Sequence, residues 1–221
     1  MPTQTAEYVD AIDHLPAGST LVIADVSWES YERLLEDLGE GYAPRVWYDE
    51  GRLEVVTPSG KHERAKDFIL ALARVIAEER GIRLETLGST TFKQKTFRRG
   101  AEPDTCFYVQ HAAQIIGKDD IDLASDPPPD VIVEVDIHHS SLRKMSFYAQ
   151  LGVPEAWRYD GWRAIMFRLS ADGYEEMPSS LAFPALTADT LSSLLDQLAA
   201  EGQHAVLTRF RTSFHGRNPG L

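Results

Sequence analysis

One cysteine in 221 residues excludes an internal disulfide framework. Cys106 lies in an apolar, strand-like run, where a small buried hydrophobe is the expected role rather than a reactive thiol. No apolar run approaches the roughly 20 residues that a membrane-spanning helix needs. Met1 to Asp13 lack the basic start and apolar core of a secretory signal, so a cytoplasmic location is expected. There is no Gly-x-x-x-x-Gly-Lys-Ser/Thr loop, no Gly-x-Gly-x-x-Gly after a strand and no Gly-x-Ser-x-Gly elbow. Those absences argue against P-loop, dinucleotide-binding and serine-hydrolase chemistry. A structural zinc site is disfavoured by the single cysteine, and the adjacent His138 and His139 would diverge rather than share one metal.

Basic residues are scarce too, 22 Lys and Arg against 34 Asp and Glu for a net charge of −12. Proteins that grip nucleic acid usually present a basic surface. One local exception stands out: Lys93, Lys95, Arg98 and Arg99 follow one another with no acid between them. That strip reads either as a solvated hairpin or as a phosphate-contacting surface.

What is present is a globular composition, 43% hydrophobic and 10% aromatic, enough for a real core. With no repeat and no low-complexity linker, residues 1–221 read as one domain, its core about 27–200, with 1–13 and 212–221 peripheral. Ser27 caps a helix running to Leu38, stopped by Gly39 and Gly41. Arg45–Tyr48 and Arg52–Val56 alternate around Asp49-Glu50-Gly51 as a hairpin. Ala65, Ile69, Leu72, Ala73 and Ile76 recur at helical spacing, which predicts a long helix from Lys61 to Arg80 ended by Gly81. Strands are expected at Arg83–Leu87, Thr91–Lys95 and Thr105–Val109, and a short helix near His111. Asp119 to Pro129 is a loop. Val131 to Val135 has the near-continuous apolar character of a strand covered on both faces. A helix through Met145, Tyr148 and Leu151, a hairpin of Glu155–Tyr159 and Ala164–Leu169, and a helix at Ala188–Ala200 follow. Trp157, Tyr159 and Trp162 read as packing aromatics.

Carboxylates interrupt two of these apolar runs. Asp104 stands at a strand start just past Pro103, and Glu134 near the end of the most apolar strand. Buried carboxylates are costly unless paired or bound to a cation. If the two strands are neighbours, both side chains can meet on one Mg²⁺ or Mn²⁺, with the Val135 carbonyl as a further oxygen donor. Asp136, two residues beyond Glu134, shares its face and reads equally as a third ligand or as a helix-capping aspartate. Lys144, on the next helix, reads as a charge stabiliser or water-orienting group, or as a surface lysine. Glu63 could reach the same cation, although a first-turn glutamate is favoured by the helix dipole alone. His62 reads as a neighbour of the helix cap.

Taken together, "SWESYERLLEDLG", "YDEGRLEVVTPSGKHER", "EPDTCFYVQ", "DPPPDVIVEVDIHHSSLRKMSFYAQLGVPEAWRYDG" and "LAFPALT" resemble the Uma-type family of restriction-endonuclease-like proteins, in its cyanobacterial-like branch. The likeness runs from about Trp28 to Leu186. It implies the PD-(D/E)xK nuclease fold, an α/β (α+β) architecture with a mixed central sheet flanked by helices, an N-terminal hairpin and C-terminal strand and helix additions. It further implies that Asp104 is the first acid and Glu134 the second. The lysine usual two residues after the second acid is replaced here by Asp136, and Lys144 reads as its migrated substitute. Glu63 matches a helix acid that related nucleases use as an extra ligand. The expected function is a Mg²⁺- or Mn²⁺-dependent DNA endonuclease that hydrolyses phosphodiester bonds with a metal-activated water, working as a homodimer. The competing expectation is a catalytically silent module of the same fold that binds nucleic acid or a protein partner.

Overall fold

The computed structural model describes residues 4–39, 42–137 and 140–215. Gly41, His138, His139 and the segment 216–221, to which expectations were attached, lie outside the described residues. In chain order the elements are α1 (Gln4–Asp13), β1 (Thr20–Ile23), α2 (Trp28–Leu38), β2 (Arg45–Asp49), β3 (Arg52–Val56), α3 (Gly60–Arg80), β4 (Glu85–Gly88) and β5 (Phe92–Gln94). After a 3₁₀ turn at Lys95–Phe97 come β6 (Arg99–Ala101), β7 (Thr105–Tyr108), α4 (Ala112–Ile115), β8 (Val131–Val135) and α5 (Leu142–Gln150). The chain then forms β9 (Glu155–Tyr159), β10 (Ala164–Ser170), β11 (Gly173–Met177), α6 (Ala188–Glu201) and α7 (Gln203–His215). Among the described residues, no helix is long and apolar enough to cross a membrane.

The strands form two sheets. One is antiparallel, in the order β1-β3-β2-β6-β5; the other is mixed, in the order β11-β10-β9-β8-β7-β4. Its one parallel pair, β8 with β9, needs a crossover, and α5 supplies it. The passage between the sheets takes three residues, Glu102-Pro103-Asp104, between the end of β6 and the start of β7. Pro103 has no N–H and cannot extend a ladder. Glu102 fixes the junction: its buried carboxylate accepts from the Val46 amide at 3.0 Å and from Thr91 Oγ1 at 2.6 Å.

The alternation along β8 explains why it is apolar throughout. Val131, Val133 and Val135 pack with Phe68, Ile69, Leu72 and Ile76 of α3, and α6 closes that layer with Leu191, Leu195 and Leu198. Ile132 faces the other way, into a cluster with Met145, Phe147 and Tyr148 of α5. Glu134 therefore lies on the α5 side. Helix α3 has the two ends expected of it. Ser59 Oγ accepts from the His62 amide at its start, and Gly81 adopts the left-handed conformation, φ +62°, at its end.

Beside the antiparallel sheet, Trp28, Tyr31 and Leu34 of α2 are buried against Val46, Tyr48, Leu53 and Val55. Tyr31 stacks on Tyr48 with ring centroids 4.7 Å apart. Gly100 of β6 leaves room for that ring, since a Cβ there would lie 2.2 Å from the Tyr31 hydroxyl oxygen. Five elements carry no strong local pattern, and the sequence reading gives them no residue range: α1, β1, β6, β11 and α7. Of these, α1 contributes the buried Ile12 and α7 packs on α3.

Candidate active site

A cleft opens where the two sheets meet. Its floor comes from Asp104, Glu134, Val135 and Asp136 at the end of the mixed sheet, and one wall from Arg45, Glu54 and Val56 of the antiparallel sheet with Thr57 just beyond β3. The start of α3 (Ser59, His62) and the start of α5 (Ser140, Ser141, Lys144) complete it. The register of β7 on β8, Thr105 against Val133, brings Asp104 opposite Glu134 one step further on. Opposed residues of an antiparallel pair share a face, so the two acids of the sequence reading converge.

Glu134 is 3% exposed. Lys144 Nζ lies 3.2 and 3.1 Å from its two oxygens and also donates to the Glu102 carbonyl at 3.3 Å. The Tyr148 hydroxyl donates to Glu134 Oε1 at 2.5 Å. Lys144 and Tyr148 are one helical turn apart and so reach the same carboxylate from one face of α5. Burial pushes the Glu134 carboxyl up to about 7. Lys144 and the Tyr148 hydrogen bond oppose that rise, whereas the charges of Asp104 and Asp136 add to it. Burial also works against the Lys144 ammonium, yet Glu134 and Asp104 overcome it and hold the lysine above its ordinary value.

Asp104 is equally enclosed but more fully satisfied. Its Oδ2 accepts from the Val135 amide at 2.6 Å, and its Oδ1 is 3.0 Å from His62 Nε2 and 4.0 Å from Arg45 Nε. Burial would raise it, but His62, Lys144 and the Val135 amide together lower it. His62 thus faces the site rather than merely flanking a cap. Its other ring nitrogen is 3.2 Å from Glu63 Oε1, and Asp104 and Glu63 raise the imidazole against the opposing effect of burial.

The remaining predicted residues are placed as follows. Asp136 is bound by the Arg158 guanidinium and by the amide and hydroxyl of Ser141, the residue preceding α5. Glu63 is engaged with Lys66, His62 and Arg45 and is not among the described residues lining the cleft. Lys93, Lys95, Arg98 and Arg99 also fall outside the lining. Arg99 pairs with Asp49 at 2.6 Å and touches Gln150 at the far end of α5, about 12 Å along the helix from Leu142 at 1.5 Å per residue. Arg45, His62 and Tyr148 were not read as site residues. Helical spacing from Lys144 is the signal that could have found Tyr148.

Two sheets joined at an acidic cleft, with a parallel β-α-β unit supplying a carboxylate and its lysine, make up a restriction-endonuclease-like fold. A crystal structure of a protein from Anabaena variabilis ATCC 29413, described as a "putative nuclease belonging to DUF820", matches it with a TM-score of 0.55 and 15% identity, covering 77% of this chain and 99% of that one. No curated protein matches the sequence. The model of the Uma2 family, described as "Putative restriction endonuclease", matches residues 28–200. The chain belongs to the Uma2 family.

Proposed function

We propose that this protein is a Mg²⁺- or Mn²⁺-dependent DNA endonuclease whose reaction takes place in the cleft. The observation that carries the reading is a buried carboxylate pair, Asp104 and Glu134, on adjacent strands with a buried lysine against the second. The donor set suits a hard cation. Both side chains offer oxygen, and the Glu134 carboxyl is pushed up by burial and by Asp104, a cost that a nearby divalent charge relieves. Mg²⁺ commonly uses one or two carboxylates and keeps its waters, so two suffice. Asp104 and Glu134 would hold the ion with the Val135 carbonyl, and Glu63 would assist after a change of rotamer. When bound, such an ion lowers the pKa of a water and offsets charge on the phosphate.

The chain's own groups do the rest. Lys144 holds Glu134 in one rotamer and neutralises its charge. Tyr148 keeps the same carboxylate from turning. Asp136, saturated by Arg158 and Ser141, anchors the start of α5 so that Lys144 arrives at the strand end. The exposed Lys95 and Arg98 would contact a duplex that extends past the cleft.

The test is cleavage of supercoiled plasmid with Mg²⁺ or Mn²⁺ by wild type, Glu134→Ala and Lys144→Met, purified identically. Loss of cleavage by about 10²-fold or more in both variants, the usual scale for a positioned catalytic group, is expected. Equal cleavage by all three would sink the assignment. The silent-module reading has one observation in its favour: among the described residues, no group of three or more His, Cys, Asp or Glu side chains is arranged to hold a metal. Divalent-ion binding that disappears in Asp104→Ala would count against it.

A further inference from the structure

Arg45 is the charged group in the cleft that the reading above leaves without a task. It opens β2, is only 9% exposed, and lines the cleft beside Ser59 and Asp104. A guanidinium carries five N–H donors in a fixed fork, and enclosing one without a partner is unfavourable. Nη1 donates to the Ala43 carbonyl at 2.7 Å. The Nε–H is enclosed and has no hydrogen-bond acceptor. The Nε/Nη2 edge is the one that takes an oxyanion side-on, and it faces two carboxylates that both stand back. Asp104 Oδ1 is 4.0 Å from Nε, and Glu63 Oε1 is 3.8 Å from Nη2. At those distances the acids hold the guanidinium in place without saturating it.

A second observation concerns the other side of the same gap. The start of α3 opens on the cleft, where Ser59 satisfies two amides: its Oγ takes that of His62 and its carbonyl that of Glu63. The amides of Gly60 and Lys61 are left as first-turn donors with no acceptor inside the helix. A Cβ built on Gly60 meets nothing within 4 Å, so the space beside that turn is open. Lys144, meanwhile, has committed its three donors to Glu134 and the Glu102 carbonyl.

We propose that Arg45 and the first turn of α3 form a phosphate seat, in which a phosphodiester oxygen pair takes the Nε/Nη2 fork and a neighbouring oxygen takes the α3 amides. The division of labour follows: Lys144 serves Glu134, and Arg45 carries the negative charge of the substrate. The nature of the ligand as a nucleic-acid phosphodiester rests on the nuclease reading; the seat itself rests on Arg45.

Inorganic phosphate is the probe, followed by ³¹P NMR line width in metal-free buffer with wild type, Arg45→Lys and Arg45→Met. Wild type should broaden the resonance. Arg45→Lys keeps the charge but loses the fork, and should weaken binding about threefold; Arg45→Met should weaken it by about tenfold or more. No response from wild type, or equal binding by folded Arg45→Met, overturns the seat. Should Arg45→Met fail to fold, Arg45→Lys decides, and binding equal to wild type overturns the fork. Arg45→Ala cleavage regained with low-millimolar guanidinium supports a direct role, which a structural lesion would not mimic. Plasmid cleavage run alongside separates the two ideas. Cleavage without a phosphate response removes the seat and leaves the nuclease, whereas a phosphate response without cleavage under any divalent ion does the reverse.

Discussion

Removing one oxygen, in Tyr148→Phe, tests how the site keeps Glu134 poised. Tyr148 donates at 2.5 Å to a carboxylate that is only 3% exposed. A hydrogen bond to an ionised acceptor contributes about 1.5–3 kcal/mol. The same bond to the neutral acid contributes about 1 kcal/mol, so at 1.36 kcal/mol per pKa unit the difference moves the Glu134 ionisation upward by about half to one and a half pH units from its position near 7. The direction for stability follows from linkage. A carboxyl raised from 4.5 to about 7 binds its proton more tightly in the native than in the unfolded state. Its stabilising contribution is therefore complete below the unfolded value and is lost as pH rises through the folded value, by about 3 kcal/mol in all. In Tyr148→Phe the loss continues to higher pH. The stability gap between wild type and variant should grow from about 1 kcal/mol near pH 5, where the lost bond is to a neutral acid, to about 1.5–3 kcal/mol near pH 9. Urea unfolding at the two pH values measures the gap, and the ¹³C carboxyl shift of Glu134 follows the ionisation directly. In cleavage assays the acidic limb of the pH–rate profile should move up with it. An unchanged titration, or a gap equal at both pH values, would refute the reasoning.

Gly100→Ala should lower stability by about 1–3 kcal/mol through overpacking, because the new Cβ meets the Tyr31 hydroxyl. Adding Tyr31→Phe should recover part of that loss in thermal melts, since this hydroxyl has no hydrogen-bond partner. Glu155, 1% exposed, accepts from Trp157 Nε1 at 2.6 Å and from the Leu181 and Ala182 amides at 3.0 and 2.8 Å. Glu155→Ala strands all three donors and should cost about 3 kcal/mol or more, a fall of about 6–12 °C in Tm for a chain of this size. Trp28, Trp47 and Trp157 are 1–4% exposed whereas Trp162 is 85% exposed. Acrylamide should therefore quench one emitting population, and Trp162→Phe should abolish it.

The legible parts of the molecule were those where one local pattern suffices. Ala65, Ile69, Leu72, Ala73 and Ile76 announce α3, and Ser59 and Gly81 its ends, because caps and periodicity are properties of a few adjacent residues. Asp104 and Glu134 were conspicuous as carboxylates in apolar strands, and burial is what makes such residues informative. Strand β6 was hidden by Gly100, whose presence answers to a ring some 70 places earlier in the chain. Trp162 read as a packing aromatic, but it sits beyond β9 on a turn held by Asp160, whose Oδ1 takes the amides of Trp162 and Arg163. His62 and Arg45 owe their place in the cleft to the meeting of two sheets, which no window of sequence displays. The same holds for Asp136, whose partners Arg158 and Ser141 come from separate elements.

Both grips on Glu134 come from a single face of α5. Rotating that helix by one residue position, 100° about its axis, would withdraw Lys144 and Tyr148 together and leave a bare acid in an apolar layer. Half-assembled versions of the cleft are thus disfavoured by geometry: α5 either seats with both groups engaged or with neither. The helix behaves as a latch with two teeth on one key, so its docking and the readiness of the cleft are a single event.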